Sequence, residues 1–204
     1  GYEQLAAINP RLVYCSISGF GQTGPWSSKP GDDLAVQGLG GIMSLTGNPD
    51  GQPTKVGTSI ADLISGIYAA QGILLALVAR QRTGEGQRVD VAMLDGQISL
   101  LTYQAGIYFA DGTVPMRKGN QHPSICPYET FPTVDGFVNL AVGNDKLWFA
   151  FCDLVGRDDL KNEARFATNP KRVAAHDELY PILEKIFRAA TTAAWIERLE
   201  QAGI

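Results

Sequence analysis

Apolar residues crowd into one long run, residues 60–79, which follows the turn-forming cluster Gly47-Asn48-Pro49-Asp50-Gly51-Gln52-Pro53. Within the run Leu63, Ile67, Leu74, Leu77 and Val78 recur at helical spacing, and its length exceeds that of a typical strand. The pattern predicts a buried helix from near Ser59 to Arg80-Gln81-Arg82-Thr83-Gly84, where basic residues and a glycine suit a helix C-terminus. Two β-branched segments flank it: Arg11 to Ser18 and Gln87 to Met93 both read as strands. Asp32 to Met43 reads as a helix capped by an aspartate, and Asp95 to about Phe109 as another. Strand, helix, helix, strand, helix with short connections is an α/β layout.

The texture changes after residue 110. Asp111-Gly112, Pro115, Arg117-Lys118-Gly119-Asn120-Gln121-His122-Pro123 and Pro127 make a long irregular stretch, a length usual for functional loops and interdomain joints. Two apolar segments, 128–133 and 137–142, flank Val134-Asp135-Gly136 and predict a hairpin. Helices are expected at about 145–155, 175–190 and 192–202. The expected organisation is therefore a large α/β domain part over 1–110, a linker over 111–127, and a small α+β domain over 128–204, incomplete at its C-terminus. Tyr2 to Pro10 reads as the tail of a helix plus a breaker, and Ile204 lies one residue past a helix-ending glycine. Both ends give the expectation of a piece of a longer polypeptide.

Composition narrows the classes. Hydrophobic residues make up 45% and charged residues 19%, which supports a packed core and argues against disorder. Seventeen basic residues against twenty-one acidic give a net charge of −4, and no basic run is interleaved with aromatics, so nucleic acid is not an expected partner. Cys15, Cys126 and Cys152 are odd in number and far apart, which favours reduced thiols in a cytoplasmic setting over disulfides or a zinc site. No leader or membrane span is evident. The long apolar run is interrupted by Ser65, Gly66, Gln71 and Gly72, which suits a protein interior better than lipid.

Two stretches bear on chemistry. Ser59-x-x-Asp62 has the form of a capping box, so Asp62 reads as a structural cap. The same first-turn position suits a nucleophile, because a carboxylate kept ionised by N–H donors can attack a carbonyl. Both readings stand on the pattern. Gly19-Phe20-Gly21-Gln22-Thr23-Gly24 matches the dinucleotide fingerprint after a strand, but that fingerprint needs a helix opening on its glycines. Pro25, Ser27, Ser28, Lys29, Pro30 and Gly31 follow instead, so the loop reads as a substrate-facing turn.

Taken together, six collinear stretches make the chain resemble the class III coenzyme A transferases, a family that includes formyl-CoA transferase and α-methylacyl-CoA racemase. They are Ser18-Gly19-Phe20-Gly21-Gln22-Thr23-Gly24-Pro25, the helix from Asp33 to Gly47, and Ile60-Ala61-Asp62 with its helix. The others are Thr83-Gly84-Glu85-Gly86-Gln87-x-Val89-Asp90-Val91, Gly119-Asn120-x-His122-Pro123-x-x-x-Pro127-Tyr128, and Val134-Asp135-Gly136. The resemblance implies a Rossmann-like large domain joined to a smaller one, and an interlocked homodimer of chains about twice this length.

It further implies that Asp62 is the catalytic nucleophile, forming aspartyl anhydride and aspartyl-CoA thioester intermediates. Gly19, Gly21, Lys29 and Asp32 become candidate coenzyme A contacts, and Gly119, Asn120, Gln121 and His122 a substrate loop. Acyl-CoA and a small carboxylic acid are the implied substrates, with no metal and no permanently bound cofactor. A cytoplasmic location is implied, or a mitochondrial or peroxisomal one in a eukaryote. Racemases of the family carry a histidine just before the residue matching Asp33, where this chain has Asp32, so transfer is favoured over racemisation. A non-catalytic coenzyme A-binding or dimerisation module is the reading from a different class.

Overall fold

After a short helix α1 (Tyr2–Ile8), the two β-branched segments of the first half form strands β1 (Tyr14–Ser18) and β2 (Arg88–Ala92). They pair in parallel, in register from Tyr14 opposite Arg88 to Ser18 opposite Ala92. Parallel strands require a crossover, and here it carries α2 (Asp33–Leu39), α3 (Ile42–Leu45) and the 24-residue α4 (Ile60–Thr83). Beyond β2 come α5 (Met93–Ser99) and α6 (Thr102–Asp111). This computed structural model describes residues 1–204 and divides into two units, Gly1–Arg117 and Lys118–Ile204.

The helix expected over 32–43 stops at Leu39, because Gly40 and Gly41 break it before α3 resumes. Likewise the segment expected as one helix over 95–109 is two. Leu100 and Leu101 turn the chain, and Thr102 holds φ at 44°, in the left-handed region. The long helix begins and ends where its pattern placed it, closing on Gly84 at φ 79°.

Its inward face is the surprise. Leu63, Ile67, Leu74 and Val78, expected to pack, are 53–62% exposed, and the buried residues are Ala61, Ser65, Ala69 and Ala76. By length and composition α4 is apolar enough to cross a membrane, with 22% of its most apolar window buried. The physical reason is distance. Small residues let α4 lie against β2 so closely that a Cβ on Gly72 would stand 2.6 Å from Val89 Cγ1. A helix seated on its small side chains leaves its large aliphatic ones facing outward.

In the second unit, β3 (Tyr128–Pro132) and β4 (Phe137–Ala141) form an antiparallel hairpin around Val134-Asp135-Gly136. Alternation along both strands puts Glu129, Phe131, Val138 and Leu140 on the buried face. Five helices cover it: α7 (Asp145–Leu154), α8 (Asp158–Asn162), α9 (Asn169–Ala174), α10 (His176–Phe187) and α11 (Thr192–Gln201). Phe187 anchors the core, with its ring 4.8 Å from both Phe131 and Trp195. The turn is tied to α11 by Asp135, which accepts the Thr192 N–H at 2.8 Å. That bond holds the Asp135 carboxyl below its ordinary range.

Candidate active site

Parallel α/β sheets place ligands beyond the carboxyl ends of their strands. Here the glycine loop after β1 occupies that end. Gly19 C=O accepts the Leu94 N–H at 3.0 Å, and Gln22 N–H donates to Asp90 Oδ2 at 2.9 Å, so β2 and α5 hold the loop's first half. Gly19 crosses Gly31 so tightly that a Cβ on Gly19 would stand 2.6 Å from Gly31 Cα, which only glycine permits. Gly21 is buried at φ 82°. Further along, Trp26 packs edge-on against Phe20 and carries Lys29 Nζ 4.5 Å above its ring. No helix opens on these glycines; the next one starts at Asp33. The geometry required for a dinucleotide pyrophosphate is absent from this loop.

The loop delivers the chain to α2, where two adjacent aspartates act differently. Asp32 is the N-cap of α2, accepting the Ala35 N–H at 2.9 Å. Asp33 reaches across to the other helix. Its Oδ1 accepts the Ala61 N–H at 3.0 Å, and its Oδ2 accepts Gln37 Nε2 at 2.7 Å. Gln37 is fully buried; its Oε1 accepts the Val56 N–H at 2.8 Å, and its Nε2 lies 3.4 Å from Thr58 C=O. Every polar atom of this amide is therefore satisfied by α2 itself or by the segment that enters α4.

This changes the reading of Ser59-x-x-Asp62. Ser59 is the N-cap residue, but its side chain makes no capping bond. The first-turn amide of Ala61 is satisfied from outside the helix, by Asp33. Asp62 itself lies in the first turn, exposed, with no hydrogen bond or ion pair to its carboxylate. The capping box suggested by the sequence does not form. Asp33 and Gln37 are the residues that motif reasoning passed over; the available signal was a second aspartate beside the cap, four residues from a glutamine on one helix face.

The 119–122 loop belongs to the second unit and is described there on its own. Gly119 has φ 61°, and Gln121 N–H closes the turn on Lys118 C=O at 3.1 Å. Asn120 is exposed. His122 is held by its backbone N–H to Tyr128 C=O at 3.0 Å, and its Nδ1 accepts the Ser124 N–H at 3.2 Å. A ring nitrogen that accepts leaves the proton of the neutral imidazole on Nε2. Behind the loop, Asn169 fixes the backbone by donating to Ser124 C=O at 2.8 Å and accepting from Cys126 N–H at 3.0 Å. Cys126 and Cys152 are enclosed, and burial pushes both thiols up to about 12. Neither is a nucleophile as it stands.

Comparison with known proteins agrees with this architecture. The family model for CoA-transferase family III matches residues 1–204. A succinate–glutarate CoA-transferase of Agrobacterium fabrum is 46% identical over 97% of this chain and 48% of its own length. An acetyl-CoA:oxalate CoA-transferase of Acetobacter aceti is 44% identical over the whole chain and 52% of its own length. The crystal structure of a CAIB/BAIF family protein from Brucella suis superposes with a TM-score of 0.85 at 43% identity, covering 100% of this chain and 54% of that one. The chain thus spans about half the length of the relatives it matches.

Proposed function

The chain belongs to CoA-transferase family III, and on that footing we propose that the protein moves coenzyme A from an acyl-CoA donor to a small carboxylic acid, with Asp62 as nucleophile. The observation that carries the reading is the state of Asp62: a first-turn carboxylate, exposed and unbonded, on a helix whose capping is done by Asp33. A carboxylate occupied as a cap would have to break that bond before reacting. Asp62 has none to break.

In the proposed sequence an Asp62 oxygen adds to the thioester carbonyl and the carbon–sulfur bond breaks, giving an aspartyl–acyl anhydride and coenzyme A thiolate. The thiolate then attacks the aspartyl carbonyl, releasing the donor acid as carboxylate and leaving an aspartyl-CoA thioester. An acceptor carboxylate repeats the first step in the opposite sense, forming a second anhydride and freeing the thiolate again. Attack of that thiolate on the acceptor's acyl carbon yields the new acyl-CoA and restores the Asp62 carboxylate. No net proton is taken up or released. The positive end of the α4 dipole favours the negative charge that Asp62 must carry at the start and regain at the end. Gly19, Gly21 and Lys29 lie on the loop beyond the strand ends, where the coenzyme is proposed to bind; Asp32, already a cap, is assigned a structural part there.

Two relatives are named for dicarboxylic acids, glutarate and oxalate, which supports a small dicarboxylate as acceptor. The test is Asp62→Asn in the full-length protein, with succinyl-CoA and acetyl-CoA as donors and glutarate and oxalate as acceptors. Transfer falls by about a thousandfold or more, a scale typical of a lost covalent nucleophile, while coenzyme A still binds. Wild-type protein held with acyl-CoA alone gains a hydroxylamine-sensitive mass on the peptide containing Asp62. Transfer by the variant at the wild-type rate refutes the assignment.

A further inference from the structure

We infer that Asp33 is a positioning residue for the reaction at Asp62, and that it works as a polarity-matched pair with Gln37. The inference rests on the reading of Asp62 as nucleophile and adds what holds it in place. Residues 56–61 lead directly into Asp62, and this segment is fastened to α2 through its backbone. Val56 N–H goes to Gln37 Oε1, Thr58 C=O faces Gln37 Nε2, and Ala61 N–H goes to Asp33 Oδ1. Gly57, Thr58 and Ser59 are exposed, and Ser59 offers no cap of its own. The first turn of α4 is therefore registered against α2 by one carboxylate and one amide, with Asp62 the next residue after the registered N–H.

The directions of these bonds are fixed. Both Asp33 oxygens accept. Gln37 must donate toward Asp33 and accept from Val56. An amide at position 33 could still accept from Ala61, but its NH2 would then meet the Gln37 NH2. A carboxylate at position 37 would set two acceptors face to face. Making both changes together reverses the bond: the amide nitrogen placed at 33 donates to the carboxylate placed at 37, whose other oxygen still accepts from Val56. Shape and net charge are unchanged, but the charge moves to the fully buried position 37 and a carboxylate oxygen there meets Thr58 C=O as a second acceptor, so the double change restores the pair only in part. A misplacement of about 1 Å at a reacting group costs on the order of a hundredfold in rate, so a faulty clamp is read in turnover.

The experiment compares Asp33→Asn, Gln37→Glu and the double variant in the full-length protein, assayed with succinyl-CoA and acetyl-CoA against glutarate and oxalate. Each single variant is expected to lower kcat by about 10- to 100-fold with KM for the acyl-CoA within about threefold, and the double variant to turn over at least about fivefold faster than either single variant. Competent sites are counted by the hydroxylamine-sensitive mass on the Asp62 peptide, so that kcat is expressed per competent site. A purely structural part would lower the melting temperature and the number of competent sites and leave kcat per site at the wild-type value. Should a single variant fail to fold, the double variant decides: folded and faster than the remaining single variant supports the pair, and folded but no faster, or unfolded, overturns it. An Asp33→Asn protein with wild-type kcat overturns the inference as well. The outcome for Asp62→Asn is separate, since an inactive Asp62 variant beside an unaffected Asp33→Asn removes only the positioning pair.

Discussion

Replacing Arg172 with methionine removes three hydrogen bonds from a side chain that is fully enclosed in the second unit. The guanidinium donates from Nε to Cys126 C=O at 2.7 Å, from Nη1 to Phe166 C=O at 3.0 Å and from Nη2 to Asp145 Oδ1 at 2.8 Å. It also lies 5.1 Å from the Trp148 ring centre. Methionine matches its length and none of its donors. The Asp145 carboxylate keeps the Asn169 N–H and is 44% exposed, so water repairs that end. The carbonyls of Cys126 and Phe166, residues 3% and 2% exposed, have no such recourse, and each costs about 1–3 kcal/mol when left unpaired. With the lost ring contact the sum is about 3–5 kcal/mol, the usual scale for breaking a buried ion pair. For a unit of about 90 residues this lowers the melting temperature by about 20 °C. Trp148 and Trp195 are both core residues of this unit, so near-ultraviolet circular dichroism during a thermal ramp reports its melting. Arg172→Lys recovers only part, because an ammonium cannot span two carbonyls and a carboxylate in the guanidinium's plane. A melting shift of less than about 5 °C for the methionine variant refutes this reasoning, since it requires that the two carbonyls find other partners.

Two further outcomes follow from the packing and the charges. Gly72→Ala forces a methyl group to within 2.6 Å of Val89 Cγ1, on a β-branched side chain with little freedom to turn, and is expected to cost about 1–3 kcal/mol in urea denaturation; an unchanged midpoint means α4 does not lie that close to β2. Glu129 is buried in the second unit, and desolvation raises its pKa above the ordinary 4.5 despite the opposing hydrogen bond from His176. The folded state therefore holds that proton more tightly than the unfolded chain, so its contribution is full below about 4.5 and is lost as pH rises through the raised value. Glu129→Gln cannot ionise, and its stability relative to wild type should improve from about pH 4 to about pH 8; a gap that stays constant or moves the other way contradicts the direction.

Much of this architecture was legible in the residues. The C-terminal end of α4 follows from a glycine and two arginines that suit a helix C-terminus, and the hairpin from Val134-Asp135-Gly136 between alternating segments. Asp32 as an N-cap needed only its position before a helical run. What could not be read was any property set by two elements at once. The inward face of α4 is one such property: periodicity locates an apolar stripe, but not whether large or small side chains meet the sheet. Small helices in the second unit were missed for a related reason. α8 and α9 have five and six residues, too few to display a period, and are held by tertiary bonds such as those of Arg172.

Asp62 poses the same problem at the level of a single site. Along the chain, Asp32, Asp33 and Asp62 are three carboxylates near helix starts, and helix-start chemistry treats them alike. The crossing of α2 and α4 divides their work. Asp32 satisfies its own helix, Asp33 satisfies the neighbouring one, and the first-turn donor that Ser59 would have served is already taken. Stability alone gives no reason to keep a further acidic group in that turn beyond the dipole's few tenths of a kcal/mol, since that term is available to any exposed first-turn acid. A nucleophile at that place has the opposite requirement: a helix end already capped, so that the reacting carboxylate can be acylated and released without unmaking the turn that presents it. Under the proposed mechanism, capping supplied from α2 meets that requirement, because acylation of Asp62 would not involve the atoms of the Asp33–Ala61 bond. The division of work is therefore a reason to expect that the rate responds to Asp33 through geometry, and to Asp62 through bond formation.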